Sequence, residues 1–207
     1  RLADRFHEEK IISTGMAGPF TTAVSLVGTE RFLRDSVRKK DEIRKLLRYS
    51  TDCVISCARD LHERLGISIS LSEPMASGNI ISKKQFQDLV LPYLSETVEA
   101  MNRFQGGTGI HICGKTKDRW DAIVESGISS FSIDNCENME ELKDAYGTRI
   151  GISGNVEPVD VLKNGTPEMI RQSVIRCLSQ AVDNPKGFTL CPGCTTQVGG
   201  QAVLGRQ

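Results

Sequence analysis

The sequence predicts an α/β fold in which short parallel strands alternate with longer helices. Three observations carry that expectation. Short apolar or β-branched runs bounded by Gly, Pro, Ser or Asn recur from one end of the chain to the other. The stretches between them show helical periodicity. With 207 residues, 39% hydrophobic and 25% charged, the chain can bury a real core. Repeated strand–helix units imply a parallel sheet with right-handed crossovers.

The strands, in order, are expected at Ile11–Met16, Ile67–Leu71, Gly109–Ile112, Ser129–Ile133, Arg149–Ser153 and Phe188–Cys191. Asp41 to Leu65 reads as a long helix with Ile43, Leu46, Leu47, Val54, Cys57, Ala58, Leu61 and Leu65 on one face, stopped by Gly66. Cys53 and Cys57, one turn apart, are read as core thiols; His7 and His62 fall in charged helical runs and are read as solvated. Ser82 to Phe104 opens with the capping box Ser82-Lys83-Lys84-Gln85, carries Phe86, Leu89, Val90, Tyr93, Leu94, Val98 and Met101 as its stripe, and should kink at Pro92. Trp120 shares a stripe with Ile123 and Val124 and reads as core. Thr166-Pro167-Glu168 has the N-cap, first-position proline and first-turn acid of another helix start. Cys136 and Cys177 read as a loop thiol and a helix-core thiol. Six units mean either an open doubly wound sheet or a (β/α)8 barrel missing two, since a complete barrel has eight and typically about 250 residues. No Gly-rich phosphate loop follows a strand, which weakens a dinucleotide site. No repeat, low-complexity tract or linker divides the chain, so residues 1–207 are expected to form a single domain.

Composition excludes several classes. Twenty-six basic residues balance 26 acidic ones, and without a Lys/Arg run this argues against an electrostatic nucleic-acid binder. No apolar stretch approaches the roughly 18 residues of a membrane span. The start, Arg1-Leu2-Ala3-Asp4-Arg5, has no signal-peptide core and reads as mid-helix without an initiator Met, which predicts a piece of a longer protein. Seven scattered cysteines suit free thiols in a reducing cytoplasm better than a disulfide framework.

In either α/β arrangement ligands sit at the carboxyl ends of the strands. The polar residues there are Glu73, His111, Cys113, Asp134, Asn155, Cys191 and Cys194. His111 and Cys113 are two apart in a strand and aim the same way. Cys194 follows a Pro-Gly turn just beyond the final strand. One imidazole and two thiolates form a borderline-soft triad suited to Zn²⁺, with a fourth position open for catalysis. The competing reading is a buried histidine with scattered structural cysteines. Cys191 is the alternative late ligand, but Pro192-Gly193 reverses the chain and projects Cys194 back over the rim. Asn155 stands in Gly154-Asn155-Val156, where its amide either orients a ligand or satisfies the strand-to-helix turn.

The runs Gly109-Ile110-His111-Ile112-Cys113-Gly114, Gly154-Asn155-Val156-Glu157-Pro158, Gly165-Thr166-Pro167-Glu168 and Cys191-Pro192-Gly193-Cys194 resemble the uroporphyrinogen decarboxylase superfamily. Within it they resemble the corrinoid-dependent branch, the methylcobamide:coenzyme M methyltransferases and their relatives. Gly18-Pro19-Phe20-Thr21 and Pro74-Met75-Ala76-Ser77-Gly78 fit as well. The resemblance implies a TIM-type (β/α)8 barrel, here incomplete, carrying about the third to eighth strands without the N-terminal units. It implies zinc on His111, Cys113 and Cys194, with Asp134 as an acid able to cap the metal; beside these, Asn155 at its strand end is a second catalytic candidate, and Glu73 and Ser77 are the cofactor-binding candidates. The implied reaction moves a methyl group from a methylated corrinoid, carried by a small corrinoid protein, to a thiol such as coenzyme M or to tetrahydrofolate. After Cys194 the run Thr195-Thr196-Gln197-Val198-Gly199-Gly200 departs from the family pattern. The decarboxylase itself is the runner-up, weakened because the last strand ends in Pro-Gly-Cys rather than a Gly-His-Gly loop. A non-catalytic corrinoid- or metal-binding subunit is the third reading. A barrel lacking two strands leaves two unpaired edges, so a second chain or a homo-oligomer is expected to cover them.

Overall fold

The computed structural model describes residues 13–194. Its elements are β1 (Ser13–Ala17), α1 (Pro19–Val27), α2 (Thr29–Arg38), α3 (Lys40–Leu65), β2 (Ser68–Ser72), α4 (Lys83–Leu89), α5 (Leu91–Gln105) and β3 (Gly109–Ile112). There follow α6 (Trp120–Glu125), β4 (Ser130–Ile133), α7 (Met139–Tyr146), β5 (Gly151–Val156), α8 (Pro167–Ala181) and β6 (Phe188–Pro192). Strand order follows chain order from β1 to β6. A doubly wound sheet reverses its order at a switch point, and no reversal occurs among the described strands. The chain packs as two compact units that divide after Phe131.

In the first unit β1 pairs parallel with β2, and β2 with β3. Alternation places Ile69 and Leu71 of β2 and Ile110 and Ile112 of β3 in the core, each 2% exposed or less. The opposite face carries Ser68, Ser70 and Ser72 with Gly109 and His111. These strands therefore alternate buried apolar residues with serine, glycine and histidine on the opposite face. Helix α3 packs on α1 and α5, and Phe20 meets Phe32 edge-on at 5.2 Å between ring centroids. In the second unit β5 pairs parallel with β6, setting Asn155 beside Cys191. Helix α8 covers β5, with Cys177 and Ala181 fully buried.

The helix signals are realised closely. Ser82 and Gln85 close the capping box, Thr166 accepts from the Met169 N–H, and Gly66 ends α3 at φ 63°. Trp120 is buried, with its indole N–H on Thr116 Oγ1 at 3.0 Å.

Several expectations need correction. The long helix expected from Ser82 to Phe104 is two helices, broken at Val90 rather than kinked at Pro92. A proline lacks its N–H and clashes with the carbonyl four residues back, so Pro92 is accommodated in the first turn of a new helix. Cys53 and Cys57 are exposed. The buried stripe of α3 runs through Ile43, Leu47, Ser50, Val54 and Ala58, and both cysteines lie one residue off it, about 100° around the helix. Leu65, placed on that stripe, is exposed. His62 is half-buried: Nδ1 lies 2.9 Å from the Ile67 carbonyl and its ring 5.4 Å from that of Phe104. His7 and the start of the first expected strand lie outside the described residues.

Candidate functional site

His111 and Cys113 mark the carboxyl end of β3. Ile110 and Ile112 occupy the core face, so His111 takes the other face, and Cys113 follows it two residues on. Both are half-buried, and His111 Nε2 lies 3.1 Å from Cys113 Sγ. A ring nitrogen and a sulfur thus converge on one point, as two ligands of one soft cation require.

Glu73, at the end of β2, is fully buried. Its N–H donates to the His111 carbonyl at 2.8 Å, tying the ends of β2 and β3 together. Its carboxylate accepts from the N–H groups of Phe20 (2.9 Å) and Thr21 (2.7 Å) at the start of α1. Those are donors that a helix N-terminus leaves unsatisfied. Gly18 makes this possible, since a Cβ there would fall 2.2 Å from Glu73 Oε1. Burial pushes the carboxyl up to about 7, against the opposing pull of the Thr21 hydroxyl and of the two N–H donors. Ser77 is also buried; its Oγ donates to Asn79 Oδ1 (3.1 Å) and accepts from the Asn79 N–H (3.2 Å). Both candidate cofactor-binding residues are thus engaged in local structure.

In the second unit, Asp134 follows β4 and its carboxylate accepts from the Cys136 N–H at 3.0 Å, closing a turn. The Cys136 thiol is pushed up to about 11, chiefly by desolvation and further by the Asp134 carboxylate, so it stays protonated at neutral pH. Asn155 is buried, and its amide donates to the carbonyls of Asp134 (3.1 Å) and Glu137 (3.0 Å). Asn155 therefore holds the loop that carries Asp134. Cys191 lies half-buried beside Asn155, and burial raises its thiol above the usual range, followed by an opposing hydrogen bond with Ser132. Cys194 is half-buried beyond the turn. That turn is pinned: the Gly193 N–H donates to the Val156 carbonyl at 2.8 Å, and a Cβ on Gly193 would sit 2.5 Å from the Asn135 nitrogen.

Sequence reasoning missed two features. One is the buried Arg119, which stands in a charged run and carries no periodicity signal. The other is a polar cleft of about 260 Å³ lined by Cys136, Glu137, Asn138, Asn155, Arg176 and Gln180. Its lining comes from separate elements, so no local motif announces it.

The profile of the Uroporphyrinogen decarboxylase (URO-D) family matches residues 1–201. The chain belongs to the uroporphyrinogen decarboxylase family. It is 28% identical to the "Methylcobamide:CoM methyltransferase MtbA" of Methanosarcina acetivorans, over 93% of this chain and 55% of that protein. It is 26% identical to the "Methylcobamide:CoM methyltransferase MtaA" of Methanosarcina barkeri, over 87% of this chain and 51% of the relative. A "Uroporphyrinogen decarboxylase" of Syntrophotalea carbinolica is 26% identical over 89% of the chain and 54% of its own length. The chain thus spans about half the length of the curated relatives it matches. A solved "methyltransferase from Methanosarcina mazei" has a TM-score of 0.85 and 25% identity, covering 94% of this chain and 56% of the other. The fold is therefore the α/β barrel of this family in partial form, with six parallel strands. Among the described residues no helix is long and apolar enough to cross a membrane.

Proposed function

We propose that this chain belongs to a zinc-dependent methyltransferase that moves a methyl group from a methylated corrinoid, presented by a small corrinoid protein, to a thiol of the coenzyme M class. Tetrahydrofolate is the alternative acceptor. The observation that carries the reading is the convergence of His111 and Cys113 at the end of β3, in a family member similar to two methylcobamide:CoM methyltransferases. Cys194, held beyond its pinned turn, completes the donor set by the family resemblance.

The donor chemistry fits zinc. One neutral imidazole and two thiolates match a borderline-soft cation, and their two negative charges balance Zn²⁺. When bound, the metal lowers the pKa of a substrate thiol so that it reaches the methyl group as thiolate; a free thiol has a pKa of about 8.5 and is mostly protonated at neutral pH. His111, Cys113 and Cys194 would hold the ion. Asn155 keeps the Asp134 loop in place, and Asp134 is the acidic group assigned to cap the site before substrate arrives. Glu73, whose N–H donates to the His111 carbonyl, sets the β2 end beside His111.

Metal analysis of the purified protein, combined with titration of proton release on adding coenzyme M, tests the proposal. The expected result is one zinc per chain and release of a proton on thiol binding. Protein without zinc that decarboxylates uroporphyrinogen would favour the second reading, which the similarity to the Syntrophotalea enzyme supports.

A further inference from the structure

Cys113 is followed by a segment whose backbone is locked by a neighbouring turn. Gly114 lies at φ 70°, and a Cβ there would fall 2.5 Å from Asn79 Oδ1 and 2.7 Å from Ser77 Oγ. Only glycine meets both demands, the left-handed backbone and the close approach. One residue on, the Lys115 N–H donates to Asn79 Oδ1 at 2.8 Å. The Lys115 carbonyl accepts from the Gly78 N–H at 2.7 Å, and a Cβ on Gly78 would meet that same oxygen at 2.7 Å. The turns at 77–79 and 113–115 thus interlock through two glycines and a reciprocal pair of hydrogen bonds.

Arg119 fastens the interlock from beneath. It is 1% exposed and donates to the carbonyls of Ala76 (2.9 Å) and Ile81 (3.1 Å), which flank the first turn. Asp118 accepts from Nε and Nη2 in a bidentate pair at 2.9 and 3.1 Å, and the guanidinium lies 5.3 Å from the Phe86 ring centroid. A buried guanidinium is stable only when its donors are satisfied in this way. The planar fork spans two strand-end loops that a flexible ammonium would not.

We propose that the Ser77–Asn79 turn, held by Arg119, positions the metal ligands: it fixes the backbone after Cys113, and so the direction of the Cys113 sulfur relative to His111. Asn79 and Arg119 are positioning residues and touch no substrate. This rests on the reading that His111 and Cys113 hold zinc. Ligands whose backbone is set before the ion arrives lose little freedom on binding it, and supporting contacts of this kind are typically worth about 10- to 100-fold in metal affinity.

Asn79 is exposed, so truncating it opens no cavity. The test compares wild type, Asn79→Ala and Asn79→Asp for zinc affinity by competition with a chromophoric chelator, and for the visible absorption of the cobalt-substituted protein. Asn79→Ala should bind zinc about 10- to 100-fold more weakly and shift the cobalt spectrum. Asn79→Asp keeps the acceptor for the Lys115 N–H and should stay close to wild type in both. A lower melting temperature with wild-type affinity and spectrum would overturn the positioning role while leaving the zinc reading intact. A wild-type protein that takes up no zinc would overturn both.

Discussion

Replacing Glu73 by Gln tests how the buried carboxylate is paired at the start of α1. Glutamine keeps one acceptor oxygen for the Phe20 and Thr21 N–H groups and removes the titration. The carboxyl loses its proton near 4.5 in the unfolded chain and at about 7 in the folded one, raised first by burial. Below the lower value both states hold the proton. Between the two values the folded state holds it more tightly, so stability falls as pH rises; above about 7 a desolvated carboxylate remains. Integrated from pH 5 to 8, the loss comes to about 2–3 kcal/mol. Wild type should therefore lose that much relative to Glu73→Gln over this range, a relative shift on the order of 5–10 °C in melting temperature. Melting curves of both proteins at half-unit pH steps measure it. Parallel dependence of the two would refute the reasoning, because it would mean that the two N–H donors and the helix N-terminus keep Glu73 ionised at ordinary pH.

Two further outcomes are expected. Zinc content, measured by elemental analysis, should collapse in Cys194→Ala and survive in Cys191→Ser; the reverse pattern would assign the late ligand to β6 rather than to the turn beyond it. Asn155→Ala removes two donors to the Asp134 and Glu137 carbonyls and should cost about 2 kcal/mol of stability, read by denaturant titration, with methyl transfer reduced and zinc retained. An unchanged midpoint together with a lost activity would place Asn155 against substrate instead of loop.

Much of this protein was legible without coordinates because the signals were local. The capping box at Ser82, the Gly66 stop, the Thr166 cap and the i, i+2 geometry of His111 and Cys113 each depend on neighbours a few residues away, where spacing and stereochemistry decide the outcome. The alternation of short strands with helices was enough for the fold class, and the strand-end residues followed from it. Local pattern failed where phase or partner mattered. Cys53 and Cys57 look apolar enough for the core, but the stripe of α3 is set by what it packs on, and they fall one residue outside it. Glu73 reads as a polar strand-end group open to a ligand; only the packing of α1 against the segment that follows β2 shows that its carboxylate closes that helix. Arg119 and Asn79 gave no signal at all, because the contacts that join the two turns reach far along the chain: to Ala76 and Ile81 from Arg119, and to Lys115 from Asn79. Sequence alone named the residues whose chemistry suits a soft metal. Tertiary structure decided which backbone holds them still, since contacts between distant segments exist only once the chain has folded.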